Sequence, residues 1–210
     1  TTVPITLDEM IYHAKSVVKG VKRALVVVDM PFGTYQSNPD KALKSAIRIM
    51  KESGAHAVKL EGGKEVSESI SKIINAGIPV MGHLGLTPQS IYKFGTYNVR
   101  GKNKIEADQL IEDAQTLEKL GCFSTVLEKI PHKLSEEISK KTKFPLIGIG
   151  AGNNVDGQVL VIHDLIGLTN EFNPRFIRRY LDLNSSIKSA VSQFIKDVKS
   201  SDFPSKDEMY

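Results

Sequence analysis

The strongest constraint on this chain is a rhythm: short apolar runs alternate with amphipathic segments along nearly its whole length. Thr6-x-x-Glu9 is a capping box, in which the threonine oxygen accepts from a free helix amide and the glutamate reaches back. It opens a segment, 7–19, with Ile11, Ala14, Val17 and Val18 on one face and a stop at Gly20. A strand is expected over 24–28. Asn38-Pro39 reads as an N-cap followed by proline at the first helical position. Leu43, Ala46, Ile47 and Met50 then recur at helical spacing up to Gly54.

The same pattern continues. Strands are expected over 57–60, 78–81, 123–127, 145–149 and, last, 159–162. Between them lie a helix through Val66, Ile70, Ile73 and Ile74 ending at Gly77, one over 105–120 ending at Gly121, and one over 132–141. Ile187, Ala190, Val191, Phe194, Ile195 and Val198 predict a final amphipathic helix. Strands alternating with helices imply a parallel sheet, and continuous apolar strands imply that both faces are covered. Two architectures compete, a doubly wound open sheet and a (β/α)8 barrel. No linker divides the chain, so residues 1–210 read as a single domain. One stretch, 83–104, has no periodicity and carries Gly85, Pro88, Gly95 and Gly101. Connections this long are usually functional or disordered.

Composition removes several classes. Cys122 is the one cysteine, which excludes a disulfide framework and a cysteine metal site; it reads as a small core residue. The longest apolar run, 24–28, is far short of the ~18 residues a membrane span needs. No signal peptide opens the chain, so a cytoplasmic protein is expected. The net charge is +4, but basic residues are interleaved with acids, and the lysines of 129–143 read as the solvated face of a helix. That is not a nucleic-acid footprint.

Polar groups collect where strands finish: Asp29 after the first, Lys59 and Glu61 at the second, His83 after the third, Glu128 after the fourth, and Gly150-Ala151-Gly152 after the fifth. Contributions from several strand ends are how a barrel builds an active site, whereas an open sheet favours one switch-point crevice. Singly, each residue has an ordinary reading. Asp29 suits a turn, Lys59 and Glu61 an ion pair, His83 a loop histidine, and Glu128 a partner for Lys129. Jointly those readings weaken, because charges at the ends of apolar strands need buried partners. Gly148-Ile149-Gly150-Ala151-Gly152 is not a dinucleotide fingerprint and suits close packing around a ligand or a neighbouring loop.

Asp29 and Glu61 offer hard oxygen ligands suited to Mg2+. A chelated 2-oxo acid would have its ketone polarised, with Lys59 neutralising its carboxylate and Glu128 removing the proton alpha to the ketone. The constellation suggests metal-dependent carbon–carbon bond formation through an enolate.

At these residues the sequence resembles the ketopantoate hydroxymethyltransferase family. The matching stretches are Val28-Asp29-Met30-Pro31-Phe32-Gly33, Val58-Lys59-Leu60-Glu61-Gly62-Gly63 and the run from Pro79 to Gln89. Further matches are Val126-Leu127-Glu128, Ile147 to Gly152 and Asp156 to Val161, all in family order. The resemblance implies a (β/α)8 TIM barrel of the phosphoenolpyruvate-binding type. It implies hydroxymethyl transfer from 5,10-methylenetetrahydrofolate to 3-methyl-2-oxobutanoate, giving 2-dehydropantoate for pantothenate synthesis, and assembly as a homodecamer. By motif match Asp29 is a Mg2+ ligand that also faces substrate, Glu61 the second acid of the metal site, Lys59 and His83 substrate-binding groups, and Glu128 the catalytic proton acceptor.

The sequence departs from the family at Gly95-Thr96 and at Val99-Arg100-Gly101, where the resemblance leads one to expect Gly-Gly and Val-Gln-Gly. The family's Gly-Asp-Ser segment, with another metal-binding aspartate and a substrate serine, is not present. With six strands counted against the eight of a closed barrel, the expectation is a longer protein of roughly 260 residues whose first two strands precede Thr1. Three alternatives stay open: another lyase or mutase of the same barrel type acting on 2-oxo acids, a Schiff-base mechanism on Lys59, and a non-catalytic barrel.

Overall fold

A computed structural model of the chain describes residues 1–169, 171 and 173–210. Side-chain caps start three of the helices of the first 120 residues, at Thr6 and Asn38 as the sequence places them and also at Asn103. Thr6 accepts from the Glu9 amide at 3.3 Å and Glu9 accepts from the Thr6 amide at 2.8 Å, opening α1 (Leu7–Gly20). Asn38 accepts from the amides of Asp40 and Lys41 ahead of α2 (Pro39–Ser53). Asn103 does the same for Glu106 ahead of α5 (Lys104–Leu120). Gly54 and Gly121 close α2 and α5 in the left-handed region that glycine enters without penalty. Gly20, expected to stop α1 in that way, is its last helical residue, and Val21 leaves in an extended conformation.

The strands are β1 (Val27–Asp29), β2 (Ala57–Lys59), β3 (Val80–Gly85), β4 (Ser124–Glu128), β5 (Leu146–Ile149) and β6 (Gly157–Gln158). All are parallel to their neighbours and pair in the order β1-β2-β3-β4-β5-β6. A doubly wound sheet reverses its strand order at a switch point. This sheet winds in one direction throughout, as a (β/α) barrel does, which decides between the two architectures.

The connecting helices, α2, α3 (Ser67–Asn75), α5 and α6 (His132–Lys141), bury one side of the sheet. Val58, Leu60 and Val80 meet Ile49, Ile70, Ile73 and Leu117 there, all essentially inaccessible to water. Cys122 is buried at the α5–β4 junction, where burial pushes its thiol up to about 12, the behaviour of an inert core residue.

Two strand expectations are corrected. β3 runs four residues past the expected end at 81, because His83, Leu84 and Gly85 continue the ladder with Val126, Leu127 and Glu128. His83 therefore lies within a strand rather than after one. The aperiodic stretch that follows contains a 3-10 turn (Pro88–Ser90) and a short helix, α4 (Ile91–Phe94). The last strand is 157–158, not 159–162. Asp156 sets this register: its amide donates to the Leu146 carbonyl and its carboxylate accepts from the Leu146 amide, which places Gly157 opposite Ile147.

Contacts group the chain into two compact units, Thr1–Val159 and Leu160–Tyr210. The second contains α7 (Ile162–Leu165), which begins at the last residue of the strand expected over 159–162, and α8 (Leu183–Ser200), capped by Asp182. Phe194 of α8 packs edge-on against Phe203. Among the described residues no helix is long and apolar enough to cross a membrane.

Candidate active site

Strand alternation builds the site. Successive side chains of a strand point to opposite faces, so while Val28, Val58, Leu60, Leu84 and Leu127 face the helices, the residues between them face the other way. Those are Asp29, Lys59, Glu61, His83 and Glu128. Asp29 and Lys59 are register partners at the ends of β1 and β2, and Glu128, the last residue of β4, lies beside Gly85 of β3. All five predicted site residues are thereby brought to one end of the sheet.

Lys59 sits at the centre. Its ammonium is 2.8 Å from Asp29 Oδ1 and 3.3 Å from His83 Nδ1. An ammonium only donates, so Nδ1 must accept, and the proton of the neutral ring is on Nε2. That nitrogen faces Glu128 Oε2 at 3.1 Å, although the pair is poorly aligned and Nε2 makes no well-formed hydrogen bond. Burial first, and the charge of Lys59 second, hold the His83 pKa well below the usual histidine value, which keeps the ring neutral. His83 thus connects Lys59 to Glu128 with a defined tautomer.

The two glutamates are unusual. Glu61 accepts from the Gln89 amide at 2.8 Å, and its other oxygen lies 3.7 Å from His83 Nδ1. Burial pushes its pKa up to about 7 despite the opposing effects of that amide and of Lys59. Burial pushes Glu128 to about 7 as well, with Lys59 pulling it down and Glu61 pushing it up. A carboxylate poised near neutrality is matched to proton abstraction at physiological pH. Three carboxyl groups face one ammonium while the histidine is neutral, and burial holds two of the three back from ionising for want of a further positive charge. That suits a cation.

Mg2+ fits this donor set. It is commonly held by one or two carboxylates, its other positions being filled by substrate and water, and Asp29 and Glu61 offer two such oxygens. Among the described residues no three histidine, cysteine or acidic side chains converge into a ready-made metal cage.

Sequence reasoning passes over Tyr35, Gln89 and Asp113, which hold the site from behind. Asp113 of α5 accepts from the Lys64 amide at 3.0 Å and from Gln109 at 3.1 Å. It reaches the turn because Gly63 has no side chain; a Cβ there would lie 2.2 Å from the Asp113 carboxyl carbon. A cavity of about 850 Å3 opens beside this turn, lined in part by Gly62, Leu84, Gly85, Phe94 and Arg100. Arg100, one of the departures from the family pattern, is firmly placed. Its guanidinium stacks 4.1 Å from the Phe94 ring centre and pairs with Glu106, and its amide donates to the Lys129 carbonyl. The glycine run at 148–152 packs against α6: Ser135 donates to the Ala151 carbonyl, and a Cβ on Gly152 would collide with His132. Gly148 lies against Val155 in the loop before β6, as the expectation of a neighbouring loop had it, whereas the neighbour of Gly152 is a helix.

Comparison with known proteins agrees with the geometry. Residues 1–206 match the family described as ketopantoate hydroxymethyltransferase. A 3-methyl-2-oxobutanoate hydroxymethyltransferase of Flavobacterium johnsoniae is 69% identical over 210 residues, covering 100% of this chain and 77% of the relative. The enzyme of the same name from Porphyromonas gingivalis is 63% identical over the same shares of the two chains. Among solved structures, an orotidine 5'-monophosphate decarboxylase of Methanocaldococcus jannaschii superposes with a TM-score of 0.54 at 16% identity, over 77% of this chain and 74% of that one. A Burkholderia cenocepacia protein described as a phosphonomutase gives 0.53 at 13% identity, over 69% and 62%. These last two speak for the fold alone. By the match along 1–206 and by its relatives, the chain belongs to the ketopantoate hydroxymethyltransferase family.

Proposed function

We propose that the strand-end cluster transfers a hydroxymethyl group from 5,10-methylenetetrahydrofolate to 3-methyl-2-oxobutanoate, with Mg2+ bound by Asp29 and Glu61. The observation that carries this reading is the buried Glu128, with a pKa of about 7, facing a neutral histidine next to a lysine ammonium. When bound, the metal supplies Lewis-acid polarisation of the ketone. Lys59 holds the substrate carboxylate or the developing enolate charge. Glu128 takes the C3 proton, and its burial keeps that carboxylate basic enough to do so. His83 Nε2–H, oriented by Lys59, lies where it can donate to Glu128 or to the substrate. The C3 carbon then bonds to the one-carbon unit; overall one water is consumed and supplies the hydroxyl, and tetrahydrofolate leaves. The resemblance carries with it a cytoplasmic homodecamer.

Lys59 is held 2.8 Å from Asp29, so its nitrogen is engaged in an ion pair rather than free to attack a carbonyl as a Schiff base requires. The test is direct. Formation of 2-dehydropantoate should need the folate cosubstrate and a divalent ion, stop with EDTA and resume with excess Mg2+. Turnover without folate would point to a lyase or mutase instead, and borohydride trapping of substrate on Lys59 to the Schiff base.

A further inference from the structure

A network of side chains lies behind Glu61. Tyr35 follows β1 in a loop and is 1% exposed. Its hydroxyl accepts from the Glu61 amide at 3.0 Å and donates to Gln89 Oε1 at 2.8 Å. The Glu61 carbonyl is a longer alternative at 3.3 Å, and the single hydroxyl proton serves the shorter contact. Both acceptor positions of the Gln89 side-chain oxygen are filled, the second by Gln36 at 3.0 Å, and its amino group donates to the Met30 carbonyl at 2.9 Å. The backbone amide of Gln89 donates to Glu61 Oε2. Glu61 is therefore gripped twice, at its main chain by Tyr35 and at its carboxylate by Gln89. The same contacts tie together the segments that follow β1, β2 and β3.

We propose that Tyr35 and Gln89 are a positioning pair that fixes the Glu61 carboxylate for cation binding. The proposal rests on the reading of Glu61 as a metal-site acid. Neither residue is placed against the reacting atoms, so both act through Glu61. A carboxylate at the end of a flexible side chain is a poor ligand until its orientation is set, and groups that orient a ligand typically govern metal affinity by ~10–100-fold. Tyr35→Phe removes only the hydroxyl. The ring keeps its buried position, and the loop keeps the hydrogen bond from Ser69 to the Tyr35 carbonyl at 2.9 Å.

The experiment measures Mn2+ binding to the protein by the loss of the free-ion EPR signal, in wild type, Tyr35→Phe, Glu61→Gln and the double variant, with thermal melts alongside. Tyr35→Phe should weaken Mn2+ binding by about tenfold or more and have no further effect once Glu61 is glutamine, since residues acting through one another are not additive. Gln89→Leu, which leaves the tyrosine hydroxyl in place, should show the same coupling and covers the case that Tyr35→Phe unfolds. Unchanged Mn2+ affinity in both variants, or an equal loss with and without the Glu61 carboxylate, overturns the proposal. If Glu61→Gln alone binds Mn2+ like wild type, the metal reading of Glu61 fails. The same cycle read on C3 proton exchange of 3-methyl-2-oxobutanoate then decides the positioning role: additive losses reject it and coupled losses retain it.

Discussion

The two faces of the same strands obey different rules. On the helix side, Val58, Leu60, Val80 and Leu127 are closed off from water and held by nothing but packing. On the opposite side of the same strands, His83 is buried and Lys59, Glu61 and Glu128 are mostly buried, yet all four carry charge or a titratable ring. The first face stabilises the fold. The second costs stability, because two glutamates there resist ionisation and a histidine is kept from protonating. Packing supports a site whose chemistry depends on groups that water would otherwise calm.

That contrast can be broken from either side. The largest effect is expected from Glu128→Gln, which should lower proton abstraction from substrate by about 100- to 10,000-fold while the fold survives. Next, Ile73→Ala, on α3 and fully buried, should cost about 2–5 kcal/mol in chemical denaturation and leave the rate per folded molecule unchanged. An equal loss of rate would mean that the faces are not separable. Third, Glu128→Gln should be more stable than wild type at pH 8. The folded-state pKa of Glu128 is raised to about 7 from 4.5, so the penalty for its charge is fully present above pH 7 and disappears as the pH falls to 4.5. The gain should be on the order of 3 kcal/mol at pH 8 and nearly absent at pH 4.5. The smallest effect belongs to Thr125, fully buried on the helix side with a hydroxyl that has no hydrogen-bond partner among the described residues. Thr125→Val should stabilise by about 1 kcal/mol without touching the rate.

Much of this site is legible in the sequence, for a physical reason. Asp29, Glu61 and Glu128 stand at the ends of apolar runs, where a charge is conspicuous; Glu61 and Glu128 are largely buried there, while Asp29 is half-exposed at the rim. What escapes is set by pairing rather than by hydrophobicity. β3 continues through Gly82, His83 and Gly85 because β4 offers it backbone partners, not because those side chains favour a strand. β6 contains only Gly157 and Gln158, and Asp156 aligns them. Tyr35 and Gln89 are 54 residues apart and Lys64 and Asp113 are 49 apart, so nothing local announces their contacts. Asp113 also hides on the apolar face of α5, among Leu110, Ala114 and Leu117, where a lone acid resembles an interruption.

The central claim is that Glu128 is the base. Deuterium exchange at C3 of 3-methyl-2-oxobutanoate, with Mg2+ present and folate absent, followed by NMR across pH 5 to 9, tests it most directly. The account predicts exchange in wild type that rises with pH as the Glu128 carboxylate forms and then levels off, and almost none in Glu128→Gln. Exchange in Glu128→Gln at the wild-type rate and with the same pH limb would contradict it.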